Sequence, residues 1–432
     1  MKRKSLWIAV FALALLALAG CGREWEGQVL AVDVNGLTGA AFTGTMEDGV
    51  GRGVLRFADW TYEGTFEENG ALLAGETDNY PWFLVMAGEE MPGRYAGALE
   101  NGSPVGRGVF RCDNGAVFTG KIRGMAAEEG AVEGLLCTMT WQQGRYTGAY
   151  DGTLENGLPS GEGRFSGANA ARQTLVWEGG WTAGEMAGEG DLTADRLVTA
   201  VEGRDQMGSY TGHGLDALPE GQGEFSSVDA QGVSYIYAGE WKNGRMNGQG
   251  TLTYAAADHF VRTGTFTDGA FTPTWVEALA VLGTMEPRFT LTQAQRDFLN
   301  AHPELWEAES RENFYNSEYN TQLDRQYRLR NCFQNPEIMA EPRWLTQYSL
   351  KVLDAYTGPA FAGGPVITRI TATDDSYQMV ARILVPGTVD AIACNRRVSF
   401  VGLPLQLSTY TTVLGEENTC AIVVAGDILV SG

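Results

Sequence analysis

The stretch YAGEWKNGRMNGQGTLTY, Tyr237 to Tyr254, sets an aromatic, a glycine and a tryptophan two residues apart. A turn follows, then two more glycines two residues apart. Side chains at i, i+2 and i+4 share one face of a β-strand. Tyr237, Gly239 and Trp241 therefore point the same way, and Gly248, Gly250 and Leu252 do so on a return strand. Asn243-Gly244 between them is a strong turn signal, because both residues accept positive φ. The stretch reads as a β-hairpin. Glycine weakens a strand, so a repeated strand glycine needs a steric reason. The expected reason is room for an aromatic of the neighbouring hairpin over the bare backbone of Gly248 or Gly250.

The frame recurs. It gives Tyr95, Gly97, Leu99, Gly102, Gly106, Gly108 and Phe110. It returns as Tyr150, Gly152, Leu154, Gly157, Gly161, Gly163 and Phe165, and again as Trp177, Gly179, Trp181, Gly184, Gly188, Gly190 and Leu192. At Tyr210 it gives Gly212, Gly221, Gly223 and Phe225, with Gly214 and Ala217 at the +4 and +7 positions. Weaker copies start at Phe42, Tyr62 and Phe118, and Arg262 opens a terminal copy whose second strand is lost. That makes about nine units between residues 40 and 270, a repeat array in which each hairpin buries its aromatics only by stacking on the next. The spacing between starts is irregular, so loops of varying length are expected between hairpins.

These residues resemble the MORN repeat, Y-x-G-x-W-x-x-G-x-x-x-G-x-G, which Tyr237 to Gly250 matches at every marked position. The other copies depart mostly at the tryptophan. The resemblance implies an elongated, twisted single sheet of hairpins. It implies binding, scaffolding or dimerisation, with no catalysis by the repeats. Lipid binding is also proposed for the family, and the acidity of this chain argues against it here.

Glycine makes up 57 of 432 residues, and only 8 of the 57 lie after residue 285. The composition shift marks a domain boundary. Thr292-x-x-Gln295 fits a capping box opening a helix, and residues 285–345 read as a mostly helical connector. Strands return at 348–356, 366–373, 377–385, 397–403 and 420–430, enough for a small closed barrel. The segment from Val398 through Asp427 is similar to the tail of OB-fold domains. The expected fold is thus mainly β. A hairpin-repeat array spans 40–275, a helical connector 285–345 and an OB-like barrel 346–432.

The N-terminus has Lys2, Arg3 and Lys4, then a short apolar run from Leu6 to Leu18, too short to span a membrane comfortably. Leu18-Ala19-Gly20-Cys21 resembles the lipobox of bacterial lipoproteins. That resemblance implies a signal peptide over 1–20, a lipidated Cys21, a tether with first strands over 21–39, and the extracytoplasmic face of the cell membrane. A plain secretory signal cut near Ala19 is the alternative. Loss of Lys2, Arg3 and Lys4 takes the net charge from −22 to −25. Such a surface repels nucleic acid and anionic headgroups.

Five further cysteines remain, at 112, 137, 332, 394 and 420. Their number is odd, so at least one stays unpaired within the chain, and their spacing matches no zinc pattern. Cys137 reads as a small buried hydrophobe, and Cys394 could meet Cys420 across the barrel. His213, His259 and His302 sit in no metalloprotease or nucleophile motif, and Asp33-Val-Asn35-Gly36 lacks the rest of a calcium loop. Arg325, Arg328 and Arg330, and Asn395-Arg396-Arg397, read as solvated basic faces. No catalytic residue, metal or cofactor is expected. The expected function is a non-catalytic protein-interaction scaffold, its partner another protein or a second copy. The alternative is cell-wall glycan binding, with Trp60, Trp181 or Trp241 as an aromatic platform, although the repeat spacing favours burial of these rings against neighbouring glycines.

One outcome follows from the N-terminus. Cys21→Ser is expected to move the protein from the membrane pellet to the soluble fraction and to abolish incorporation of labelled fatty acid. Equal membrane retention of Cys21→Ser and the unchanged chain would sink the lipid anchor.

Overall fold

The computed structural model describes residues 23–29, 39–255, 261–285, 287–302, 326–361, 363–412 and 415–431. The expected signal peptide and Cys21, Asp33-Val-Asn35-Gly36, His259 and Arg325 lie outside the described residues. The chain is mainly β, with an antiparallel array of hairpins, short helices and a closed five-strand barrel.

The chain divides into two compact units. The first holds the chain up to Thr140, with Arg145–Ala168 and Glu178–Ala187. Its strands are β1 (Arg23–Val29), β2 (Ala41–Glu47), β3 (Val50–Arg56), β4 (Thr61–Glu67), β5 (Leu72–Met86) and β6 (Glu89–Glu100). They continue with β7 (Ser103–Cys112), β8 (Val117–Arg123), β9 (Ala126–Trp141), β10 (Gly144–Glu155) and β11 (Leu158–Ala168), except that Trp141 of β9 and Gly144 of β10 belong to the second unit. Each pairs antiparallel with the next. β12 (Thr174–Thr182) and β13 (Glu185–Val201) carry residues of both units. The second unit adds β14 (Arg204–Leu215), β15 (Leu218–Val228), β16 (Ser234–Lys242), β17 (Arg245–Tyr254), β18 (Arg262–Thr267) and β19 (Ala270–Phe271). From β13 onward these also pair in chain order.

The register explains the glycine beat. In the β16–β17 hairpin Tyr237 faces Leu252, Gly239 faces Gly250 and Trp241 faces Met246. Two residues on β16 thus span four on β17, so Gly248 sits in a bulge, at φ +106°. Gly106, Gly161, Gly188 and Gly221 hold the same place at φ between +67° and +77°. The +11 glycine is therefore a backbone requirement, since a side chain resists left-handed φ at a bulge. The expected aromatic cover over Gly248 is corrected here. The +2 and +13 glycines answer to a different constraint. A Cβ on Gly250 would overlap the ring of Tyr237, which belongs to the same hairpin, and one on Gly239 would strike the facing Gly250 backbone and the Tyr237 hydroxyl. Gly97 and Gly108 lie so under Tyr95, Gly152 and Gly163 under Tyr150, and Gly212 and Gly223 under Tyr210. At Gly51 and Gly214 the covering ring does come from another strand, Phe66 and Trp177 respectively.

The uneven repeat spacing has a structural cause other than loops. Three hairpins, β5–β6, β9–β10 and β13–β14, have strands of 12 to 17 residues. Each tip hydrogen-bonds to the turn of a later hairpin. Ala87 N donates to Gly157 O at 2.7 Å, Trp141 Nε1 to Ala217 O at 2.8 Å, and Glu202 N to Gly269 O at 2.9 Å. Leu84 and Met86, then Trp141, then Leu197 and Val201 are buried at these extensions. The extra residues are strand that curls back onto the aromatic side of the array.

The array ends against a helix. α1 (Trp275–Leu282) opens with a capping box of Thr274 and Glu277. The Glu277 carboxylate accepts from Thr274 N at 2.7 Å, Gln249 Nε2 at 2.9 Å, Thr265 Oγ1 at 3.0 Å and Thr265 N at 3.1 Å. One side chain thus caps the helix and ties it to β17 and β18. The sequence reading placed no helix before residue 285. The capping box at Thr292 and Gln295 is present and opens α2 (Gln293–Ala301).

The barrel strands are β20 (Leu345–Pro359), β21 (Val366–Thr373), β22 (Val380–Pro386), β23 (Arg397–Thr411) and β24 (Glu417–Ser431). They close in the order β20-β21-β22-β24-β23, with β22 and β24 parallel. Leu350, Ile370, Ile383, Val398, Phe400 and Val423 fill it, joined by Leu329 and Cys332 of α3 (Leu329–Gln334).

Gly250→Ala is expected to lower stability by about 1–3 kcal/mol, the usual cost of overpacking. Urea unfolding checks it against the same substitution made in a Tyr237→Ala variant, where the missing ring is expected to shrink the loss. Equal loss in both backgrounds would refute the ring-over-glycine account.

Candidate functional site

The frame residues form a buried lattice. Each repeat tyrosine lies over its glycine pair and donates its hydroxyl to the carbonyl three residues on. Tyr62 does so to Thr65 at 2.7 Å, Tyr95 to Ala98 at 3.1 Å and Tyr150 to Thr153 at 2.9 Å. Tyr210 reaches His213 O at 2.7 Å and Tyr237 reaches Glu240 O at 2.8 Å. Thr153, His213 and Glu240 stand opposite bulges, where the regular ladder is interrupted. The phenol thus supplies a donor where the strand partner is displaced. Trp181 and Trp241 fill the next layer. Their indoles donate to Gly163 O and Gly223 O, and their rings meet Tyr150 and Tyr210 edge-on at 5.0 and 5.1 Å.

Trp60, Trp181 and Trp241 are each no more than 3% exposed. The rings are spent on packing, as the packing reading expects, and the alternative sugar platform on these tryptophans is overturned. Trp177 is buried as well. Gly179 lies in β12, Gly190 faces Gly214, and Gly244 is a turn residue at φ +77° whose N–H reaches Pro219 O.

Other groups read as chemical candidates do not assemble. Cys394 is exposed and Cys420 buried, and both are free, so the expected pairing across the barrel is corrected. Burial pushes the thiols of Cys112, Cys137 and Cys420 up to about 11, and raises Cys332, which leaves them as protonated, poorly nucleophilic groups at neutral pH. His213 is a strand residue with Nδ1 3.4 Å from Asp191, and His302 ends α2. Arg328 donates to Thr346 O at 3.0 Å, and Arg397 pairs with Asp375 at 2.5 Å. Among the described residues no group of His, Cys, Asp and Glu could hold a metal ion.

Two outward features were not foreseen. On the face of β13 to β16 turned away from the aromatics, Val198 faces Met207 across the hairpin, with Val228 and Ile236 on the following strands. Their exposures are 36%, 54%, 52% and 45%. Alternation alone could have placed them outward, had the strand length of β13 been legible. On the barrel, Arg369 of β21 and Arg382 of β22 line one cavity with Phe289 of the connector. The turn signal Asp374-Asp375 between them gave a hint, since a hairpin centred there brings the two arginines to one face.

A family model described as MORN repeat matches residues 95–117, 150–172 and 237–256. No curated protein matches the chain. The chain carries MORN repeats, which suggest a module that binds proteins or membranes, and the family is not known as enzymatic.

The buried phenols give a pH outcome. Burial raises Tyr62 and Tyr150 to about 12 and raises Tyr95, Tyr210 and Tyr237 as well. An ordinary phenol titrates near 10. The folded value is the higher one, so this contribution to stability is intact below about pH 10 and lost as pH rises through about 12. Near-ultraviolet circular dichroism is expected to collapse in that window together with a delayed rise in tyrosinate absorbance. A folded protein that ionises all its tyrosines near pH 10 would contradict the lattice.

Proposed function

We propose that the chain is a lipid-anchored lipoprotein on the extracytoplasmic face of a bacterial membrane, where it serves as a non-catalytic protein-interaction module. The anchor rests on Lys2, Arg3, Lys4 and the Leu18-Ala19-Gly20-Cys21 run. The interaction reading rests on one observation, the outward apolar patch of Val198, Met207, Val228 and Ile236. The opposite side of the same strands already buries Leu192, Leu197, Tyr210, Phe225 and Tyr237, so the patch is not demanded by the core. Covering it would gain on the order of 1 kcal/mol per side chain. The net charge of −22 favours a partner whose rim is neutral or basic. A second copy would bring like charge to the interface, which weighs against self-association.

The glycan reading keeps a foothold on the barrel. Tyr348, Tyr356 and Tyr377 are each at least half exposed there. Each carries a cation over its ring, from Arg328, Arg369 and Lys351 respectively.

The deciding experiment is cross-linking capture from membranes with the unchanged chain and with Met207→Glu plus Ile236→Glu. One identified protein is expected to be recovered at least tenfold less by the double variant. Equal recovery would remove the patch from the interaction. A concentration-dependent dimer in sedimentation, lost in the double variant, would assign the surface to a second copy. Retention of purified cell-wall glycan, abolished by Tyr356→Ala, would favour the glycan reading.

A further inference from the structure

The barrel presents an arginine pair with no counter-charge among the described residues. Thr371 faces Arg382 and Arg369 faces Leu384 across β21 and β22, so the two arginines are diagonal neighbours on the outward face. Diagonal pairs of this kind stand within reach of long side chains. Both line a cavity of about 70 Å³ whose remaining walls are Leu282, Pro287, Phe289, Leu384 and Ile422. Among the described residues neither guanidinium has a carboxylate partner. Arg369 donates to the carbonyl of Ala360 at 2.5 Å and lies over the ring of Tyr356 at 5.7 Å. These contacts fix its fork without neutralising it. Burial and the neighbouring Arg382 both lower the pKa of Arg369.

This arrangement runs against the rest of the molecule. The chain has 53 acidic side chains against 31 basic ones, so carboxylates were plentiful as partners. Two like charges beside an apolar wall repel and lose hydration, and the arrangement becomes favourable when an anion joins them. The volume is about that of two or three waters, enough for one tetrahedral oxyanion. Arginine forks match such an anion with paired N–H donors. A second recess of about 340 Å³ shares Phe289 and is lined by Arg288 and Arg296. It offers room for whatever the oxyanion is attached to.

We infer that Arg369 and Arg382 form a binding site for a phosphate group, free or as the head of a phosphate monoester. The phosphate oxygens sit between the two forks, and the ester body lies along Phe289 toward the larger recess. This site is independent of the outward patch on the array and stands or falls separately from it.

The test uses the full chain, titrated with inorganic phosphate and with phenyl phosphate, followed by calorimetry and thermal unfolding. Both probes are expected to bind saturably, one per chain, and to raise Tm with concentration as ligand linkage requires. Arg382→Gln is expected to weaken binding at least tenfold. Arg382 makes no side-chain hydrogen bond to the described residues, so its replacement breaks none of theirs. Arg382→Lys keeps the charge and loses the fork, and is expected to fall between the two. Tighter binding of phenyl phosphate than of inorganic phosphate assigns the site to monoesters, and equal binding assigns it to the free ion. No saturable binding of either probe overturns the inference. So does unchanged binding by Arg382→Gln, or an equal Tm rise with chloride at matched ionic strength.

Discussion

Each repeat tyrosine lies flat against two glycines that face each other across its own hairpin, and the array depends on that contact. The phenol occupies the space two Cβ atoms would need, as that of Tyr237 does over Gly239 and Gly250. Its hydroxyl then reaches a carbonyl opposite a bulge, and the bulge in turn needs a left-handed residue, Gly248. Three glycines and one tyrosine are thus coupled by two different requirements, room for the ring and freedom of φ. A tryptophan such as Trp241 closes the arrangement by packing edge-on against the tyrosine of the preceding hairpin, Tyr210. Each hairpin supplies part of its own core and part of its neighbour's, which is why such repeats are stable only in series.

A flat array of this kind would leave its aromatic side open to water. The long hairpins remove that exposure. Their tips bond to the backbone of later turns, at Gly157, Ala217 and Gly269, and carry Leu84, Met86, Trp141, Leu197 and Val201 onto the aromatic side. At Gly157 and Gly269 a Cβ would press on the carbonyls of Val85 and Ala200, so these turn glycines also make space for a tip. A glycine in the repeat frame can therefore be kept for a contact made by a distant strand.

Period two carries most of what was legible. It fixed the hairpins, the shared face of Tyr237, Gly239 and Trp241, and the burial of the tryptophans as the packing alternative to a sugar platform. The barrel strands were legible for the same reason, with turns marked by Pro386-Gly387 and Asp374-Asp375. The curled extensions were not, because residues such as Leu84 and Met86 continue the alternation and carry no sign of where the strand bends. Helix α1 was hidden by its apolar text, WVEALAVL, in which periodicity alone does not separate a buried helix from a strand. The arginine cavity needed the register of β21 on β22 and the approach of Phe289 from another segment, neither of which is local in sequence.

What remains free after packing decides what the molecule can recognise. The repeat aromatics, which in an open sheet would form a continuous apolar platform, are spent on glycine pairs and on hairpin tips. Recognition is left to the outward rows of the strands and to the barrel surface. The outward rows are polar and acidic over much of their extent, so an apolar cluster such as Met207 and Ile236 stands out as a surface whose exposure the fold does not require. The barrel offers the opposite character, cations laid over tyrosines and two arginines that have no carboxylate partner among the described residues, in a chain of net charge −22. An acidic body slows the approach of free anions over long range. A site built to hold one must therefore win at contact distance, through fork geometry and an apolar wall, and that is the character of the Arg369 and Arg382 cavity.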